Sequence, residues 1–203
     1  MNRKERERLF KKQEILDAAI KIFATKGFKA TTLDEIAEKS EFGKGTIYNY
    51  FSNKEEIYKE IIIYISDMHK NNMYKAEQNT ETFYDFIFQT TKSHMTFCLK
   101  NKEAFLLLIY TKMHHEKSTT SDISKLMDKY HNEMTQFFIN RTKEAIQNNE
   151  IKDLVPEKVI RLTRGMAFTY VYESLIYNEL KEEHIESDAK LITDTLFNGI
   201  KLK

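Results

Sequence analysis

Apolar residues recur along this chain at the spacing of a helix. Ile15, Ala18, Ala19, Ile22 and Phe23 follow the i, i+3, i+4, i+7, i+8 rule and form one stripe. The pattern predicts a first helix that stops at Gly27, where glycine takes the left-handed conformation that commonly ends a helix. Thr31 and Thr32 offer hydroxyl N-caps, with Asp34 or Glu35 as the reciprocal partner, for a short second helix burying Leu33, Ile36 and Ala37. Gly43 and Gly45 flank the start of a third short helix, Lys44 to Tyr50, whose inward residues are Ile47 and Phe51. Ser52 or Asn53 then caps a long fourth helix carrying Ile57, Ile61, Tyr64, Ile65 and Met68.

Beyond about residue 79 the periodicity predicts five more helices. Thr80 to Leu99 carries Phe83, Phe86, Ile87, Thr90, His94, Phe97 and Cys98 on one side, and Asn101 opens a short apolar segment reaching about Met113. Ser121 to Asn148 reads as a long amphipathic helix through Ile123, Leu126, Met127, Tyr130, Met134, Phe137 and Phe138. Pro156 suits the first turn of the next helix, which is apolar on several faces and so is buried on more than one side. The last helix, from about Ser187, places Leu191, Ile192, Thr195, Leu196 and Ile200 on a stripe. The fold class is therefore all-α with about nine helices: a three-helix module over residues 1–52, joined by the long fourth helix to a helical body over 53–203.

Composition agrees with this picture, since one proline and five glycines in 203 residues leave little to interrupt helices. A single cysteine, Cys98, excludes an internal disulfide or a multi-cysteine zinc site and fits a reducing, cytoplasmic setting. The charged N-terminus does not read as a secretion leader, and the apolar run Phe105 to Tyr110 is far short of the ~20 residues that span a membrane. The formal net charge of +1 conceals an asymmetry. Residues 1–54 hold 12 Lys/Arg against 8 Asp/Glu, whereas the remainder holds 20 against 23. Met1 to Lys12 alone carries six basic and two acidic residues, the sign expected of an arm near phosphates.

The segment Thr31 to Lys54, TTLDEIAEKSEFGKGTIYNYFSNK, carries the chemistry. A tri-helical unit with a short third helix entered through glycine suits the major groove of duplex DNA, which is about as wide as one helix. Glycine permits close approach to the sugar-phosphate chain, and Lys44 and Lys54 bracket the helix as phosphate contacts. Asn49 is the candidate reader of a base edge, because its amide pairs with adenine in a bidentate way; Tyr48 and Tyr50 suit phosphate or a thymine methyl.

These residues resemble the tetracycline-repressor (TetR) family of regulators, whose signature runs Thr-x-x-x-Ile-Ala, then Lys-Gly-Thr-Leu-Tyr-x-Tyr-Phe, then Lys-Glu. Here it reads Thr32, Ile36 and Ala37, then Lys44, Gly45, Thr46, Ile47, Tyr48, Asn49, Tyr50 and Phe51, then Lys54 and Glu55. The resemblance implies a helix-turn-helix DNA reader touching duplex DNA through Thr32, Lys44, Gly45, Thr46, Tyr48, Asn49, Tyr50 and Lys54. Gly43 departs from the family where a capping serine is common, and Asn49 where histidine is frequent.

For the body, the resemblance implies a ligand-binding and dimerisation domain holding a small-molecule effector. Tyr64, Phe86, His94, Met134, Met166 and Tyr170 are its candidate lining, although Met and aromatic stripes also serve as plain core. His94 on its apolar face reads first as a hydrogen-bonded core histidine, and Cys98 as inert packing. His114, His115 and Glu116 lack the spacing of a metal site and read as a polar loop, so no metal or cofactor is expected. No acid, base and nucleophile share a recognisable spacing, which argues against an enzyme. The last two helices are the candidate homodimer interface, and a two-fold dimer implies a palindromic operator. Repression relieved by the effector is the expected mode; activation, ligand-independent DNA binding, or a helical interaction protein that never reads DNA are the alternatives.

Overall fold

A computed structural model describes residues 1–113 and 121–200. Among them are nine α-helices and a short 3-10 turn: α1 (Arg3–Ala30), α2 (Leu33–Lys39), α3 (Lys44–Tyr48), α4 (Lys54–Glu77), α5 (Phe83–Lys100), α6 (Lys102–Met113), α7 (Ser121–Gln147), α8 (Pro156–Ile176) and α9 (Ile185–Ile200). The all-α expectation holds. No helix among the described residues is long and apolar enough to cross a membrane.

The chain forms two compact units, one of Met1–Ser66 with Glu103–Met127 and one of Asp67–Lys102 with Asp128–Lys203. This division differs from a split at residue 52, and the reason is local. The first half of α4 carries Ile57, Tyr58, Ile61, Ile62 and Ile65, all fully buried, so it packs as part of the first unit. The Tyr58 hydroxyl also hydrogen-bonds Thr111 Oγ1 on α6.

In the first unit, α1 begins with a reciprocal cap: the Asn2 side chain accepts from the Glu5 amide, and the Glu5 carboxylate accepts from the Asn2 amide. Residues 1–11 of this arm are exposed, and burial begins in earnest at Ile15. Gly27 sits at φ +77° and ψ 165°, and a further helical turn follows to Ala30. The helix is thus broken where the sequence placed its end. Thr32 and Glu35 cap α2 reciprocally. The third helix stops at Tyr48, two residues before the sequence-based limit at Tyr50, with Asn49 as its C-cap. Of the two candidate caps for α4, it is the Asn53 side chain that accepts from the Glu56 amide, at 2.8 Å.

The second unit is built around Phe83, Phe86, Ile87, Met134, Phe138, Val159, Ile160 and Leu196. Here α5 packs against α8 and α9. Thr82 and Asp85 cap α5, so it starts three residues after Thr80. The Asn101 side chain donates to the Phe97 carbonyl, at 2.8 Å, and therefore closes α5 instead of opening α6. Pro156 occupies the first turn of α8, where its missing N–H costs nothing.

The Gly27 backbone lies in a region that only glycine occupies at low cost, although a Cβ there would meet no neighbour. Gly27→Ala is expected to destabilise the chain by about 1–3 kcal/mol through backbone strain alone, read as a lower urea midpoint with an unchanged helical circular dichroism spectrum.

Candidate nucleic-acid interface and effector cavity

The third helix has only five residues and a single fully buried side chain, Ile47, with Phe51 buried just beyond it. Its amino end, Gly43, makes no side-chain cap, and neither Gly43 nor Gly45 has anything within van der Waals reach of a Cβ position. The outward face is accordingly open backbone and polar side chains. Thr32, Lys44, Gly45, Tyr48 and Asn49 are exposed, while Thr46 and Tyr50 are half-buried. Lys44 Nζ reaches the Asp34 carboxylate at 2.5 Å, an exposed pair that high dielectric keeps weak and exchangeable. Beside this face, Tyr50 shares a surface groove with Arg8, Leu9 and Lys12 of the N-terminal arm.

Lys54, expected as a phosphate contact, makes hydrogen bonds within the chain. Its ammonium donates to the carbonyls of Phe28, Lys29 and Thr31 at 3.0, 3.1 and 2.9 Å, which engages all three of its N–H groups. It also lies 4.8 Å from the Phe28 ring centroid, and Phe28 packs edge-on against Tyr58 at 4.9 Å. One lysine therefore satisfies the loose carbonyls at the end of α1 and fixes that end to the start of α4. Nothing in its spacing from Lys44 distinguishes this use from a phosphate contact; the signal in the sequence was the glycine-broken helix end, which needs a donor.

In the second unit, α4, α5, α7 and α8 enclose a cavity of about 120 Å³. Of the six candidate lining residues, His94 and Met134 face it. Phe86 is fully buried in the core beside Phe138 and Arg141, and Met166 packs against that same core. Tyr170 is partly exposed and hydrogen-bonded to Asp188, which raises its pKa after desolvation, and Tyr64 belongs to the first unit and is exposed. Tyr130, on the apolar stripe of α7, also faces the cavity, as do His69 and Arg164, which periodicity did not single out because each is a polar residue on a mixed face. His114, His115 and Glu116 lie outside the described residues.

The polar groups of the cavity form a chain. The Tyr130 hydroxyl, which burial keeps protonated, hydrogen-bonds His69 Nδ1. His69 Nε2 hydrogen-bonds His94 Nδ1 at 2.9 Å, and the histidine tautomers set the direction of both bonds. Desolvation, helped by the positive charge of Arg164, lowers both histidine pKa values, that of His94 to about 4. Cys98 lies 3.7 Å from the His94 ring and is pushed towards the thiol form by burial, as packing requires. Among the described residues no group of three or more His, Cys, Asp and Glu is arranged to hold a metal.

The family model for bacterial regulatory proteins of the TetR family matches residues 15–61, which hold α2, α3 and their scaffold. Over that segment the chain is similar to the TetR family. It is 26% identical over 186 residues to the HTH-type transcriptional regulator YhgD of Bacillus subtilis, covering 92% of each chain. It is also 26% identical over 147 residues to IcaR, the negative transcriptional regulator of the biofilm operon icaADBC in Staphylococcus aureus, covering 68% of this chain and 76% of that one. Among solved structures, the fold matches FadR from Bacillus subtilis in complex with stearoyl-CoA with a TM-score of 0.73 at 19% identity, covering 92% and 98% of the two chains. It matches the ketosteroid regulator KstR2 of Mycobacterium tuberculosis with a TM-score of 0.76 at 16% identity, covering 95% of each. The chain thus pairs a segment similar to the TetR-family helix-turn-helix module with an all-α body whose fold matches that of solved regulators.

Two outcomes follow. Lys54→Met strips a donor from three carbonyls, two of those bonds partly buried, and is expected to lower stability by about 1–3 kcal/mol in urea titrations, while leaving the salt dependence of DNA binding as steep as before. For the histidine pair, the unfolded rings titrate near 6.5 and folded His94 near 4, so the unfolded chain binds more protons in that window. Stability should fall as pH drops from about 6.5 towards 4, by up to about 1.4 kcal/mol per pH unit per ring. His94→Gln should make that fall shallower.

Proposed function

We propose that the chain is a homodimeric repressor that binds a palindromic operator in duplex DNA and is released by a small-molecule effector held in its body. The functional division on this reading is DNA recognition by residues 1–52 and effector binding and dimerisation by 53–203. The observation that carries it is the exposed face of Thr32, Lys44, Gly45, Tyr48 and Asn49, set on a scaffold whose inward residues Ile36, Ala37, Ile47 and Phe51 are buried. Lys44 and the open amino end of α3 meet phosphate, Tyr48 and Tyr50 flank them, and Asn49 reads a base. Lys54 contributes by holding the module's shape. The basic arm, with Arg8 and Lys12 beside Tyr50, extends the positive surface.

The dimer reading rests on apolar side chains left outside the second unit. Leu162 and Ile176 on α8 are 58% and 47% exposed and fall on one helical stripe with Gly165 and Thr169; Leu191 on α9 is 57% exposed, with Thr195 one turn on. Large apolar residues flanked by small ones suit close approach of a second copy through an isologous contact. Such a dimer presents two recognition helices about 34–36 Å apart or somewhat more. Repression is supported by the likeness to IcaR, a negative regulator, and a ligand in the body by the likeness to FadR, solved with stearoyl-CoA. Because α4 runs from the first unit into the second and carries His69 and Met73 at the cavity, it is the element through which an effector would reach the DNA head. The absence of membrane-spanning helices among the described residues and the DNA target both fit a cytoplasmic protein.

Selection of bound duplexes from a random pool tests the reading: two inverted half-sites are expected, and no enrichment, or a lone half-site, would overturn it. On the selected operator, Lys44→Ala should weaken binding to specific and random DNA alike and lower the salt slope by about one unit. Asn49→Ala should instead relax discrimination at one base position by about 1–3 kcal/mol in competition gel shifts.

A further inference from the structure

Arg164 places a positive charge in the wall of a cavity that is otherwise apolar or neutral. Its guanidinium donates to Thr135 Oγ1 at 2.9 Å and to His131 Nδ1 at 3.3 Å, which engages two of its five N–H groups with neutral acceptors. Among the described residues no carboxylate lies within ion-pair distance of it, and the cavity lining contains no Asp or Glu. The acidic residues nearby are engaged elsewhere: Glu133 and Asp67 pair with Lys70, and Glu77 with Arg141. The other polar groups do not substitute for an anion. His69 and His94 are neutral, and the Thr90 and Thr163 hydroxyls donate back to the carbonyls of Phe86 and Val159 on their own helices. A partly buried guanidinium without a counter-charge is costly, and a fork of free N–H groups is shaped for a planar carboxylate.

We propose that the effector is a small organic carboxylate, its carboxylate held by Arg164 and its apolar body seated against Met73, Met134, Phe138 and Ala167. The size follows from the volume. The cavity of about 120 Å³ is close to the ~150 Å³ in which a buried apolar site holds benzene, so the body is an aromatic ring or a short aliphatic chain. The charge follows from the lining: a cation brought here would face Arg164 with no anion to pair it, and a neutral ligand would leave the guanidinium uncompensated. This inference deepens the effector reading above and rests on it for biological meaning, but the binding chemistry stands on the cavity alone.

The test uses the full chain and three probes of one size: benzoate, benzamide and benzylamine. Calorimetry and thermal melting are expected to show benzoate binding at least tenfold more tightly than benzamide, in the range of a charge-assisted bond, and benzylamine not binding. Arg164→Gln should lose at least tenfold for benzoate and leave benzamide unchanged; Ala167→Phe, which fills the cavity, should abolish both. Benzamide or benzylamine matching benzoate on the native chain overturns the carboxylate assignment and leaves the cavity as an effector site, and this comparison stands even where Arg164→Gln fails to fold. Binding of none of the three overturns it as well. Tight benzoate binding that leaves operator affinity unchanged supports the carboxylate site and refutes release by this ligand.

Discussion

A five-residue helix cannot hold its own shape in water, because the cost of nucleation is not recovered over so few hydrogen bonds. Whatever α3 does, it does because other elements hold it. Ile47 and Phe51 anchor it to a buried layer that includes Ile36, Ala37 and Phe23. That layer stays in register because Lys54 ties the end of α1 to the start of α4, over an aromatic cluster of Phe23, Phe28 and Tyr58. The exposed face is free to stay polar and backbone-rich because none of its side chains is needed for the packing.

The same logic, with the opposite polarity, governs the second unit. Its core is closed by aromatic packing of Phe83, Phe86, Phe137 and Phe138, so the polar chain of Tyr130, His69 and His94 lies at the edge of a cavity and not in the core itself. Low dielectric keeps that chain neutral and makes a lone charge conspicuous. Arg164 is such a charge, held in place by Thr135 and His131 while the face it turns to the cavity lacks an anion. On the proposed reading, affinity and selectivity for a carboxylate come from one partly buried ion pair added to an apolar seat, where the pair contributes more than it would at the surface.

Much of the first unit was legible from the sequence because its determinants are local. Caps such as Thr32 with Glu35, the break at Gly27 and the inward pair Ile47 and Phe51 each depend on residues within a turn or two. The misplacements came from contacts between residues far apart in the chain. The carbonyl partners of Lys54 were not legible because they lie some 25 residues earlier. Phe86 and Met166 share the periodicity of cavity residues, yet helical spacing gives a face and not what that face meets, and both turned towards the core. His69 and Arg164 were passed over because a polar residue in a mixed helix reads as surface until the neighbouring helices are known to enclose it.

The sequence by itself determined the number and order of helices, the composition of the exposed face of α3 and the likeness to the TetR family, since each is written in short-range spacing and in a motif contiguous along the chain. Tertiary structure alone decided how the chain divides into compact units, which lysine clamps and which stays exposed, and which side chains surround the cavity. The physical reason is that burial and desolvation are properties of a neighbourhood: the charge on Arg164 or the neutrality of His94 is set by helices that meet in space after being separated by many residues in the chain.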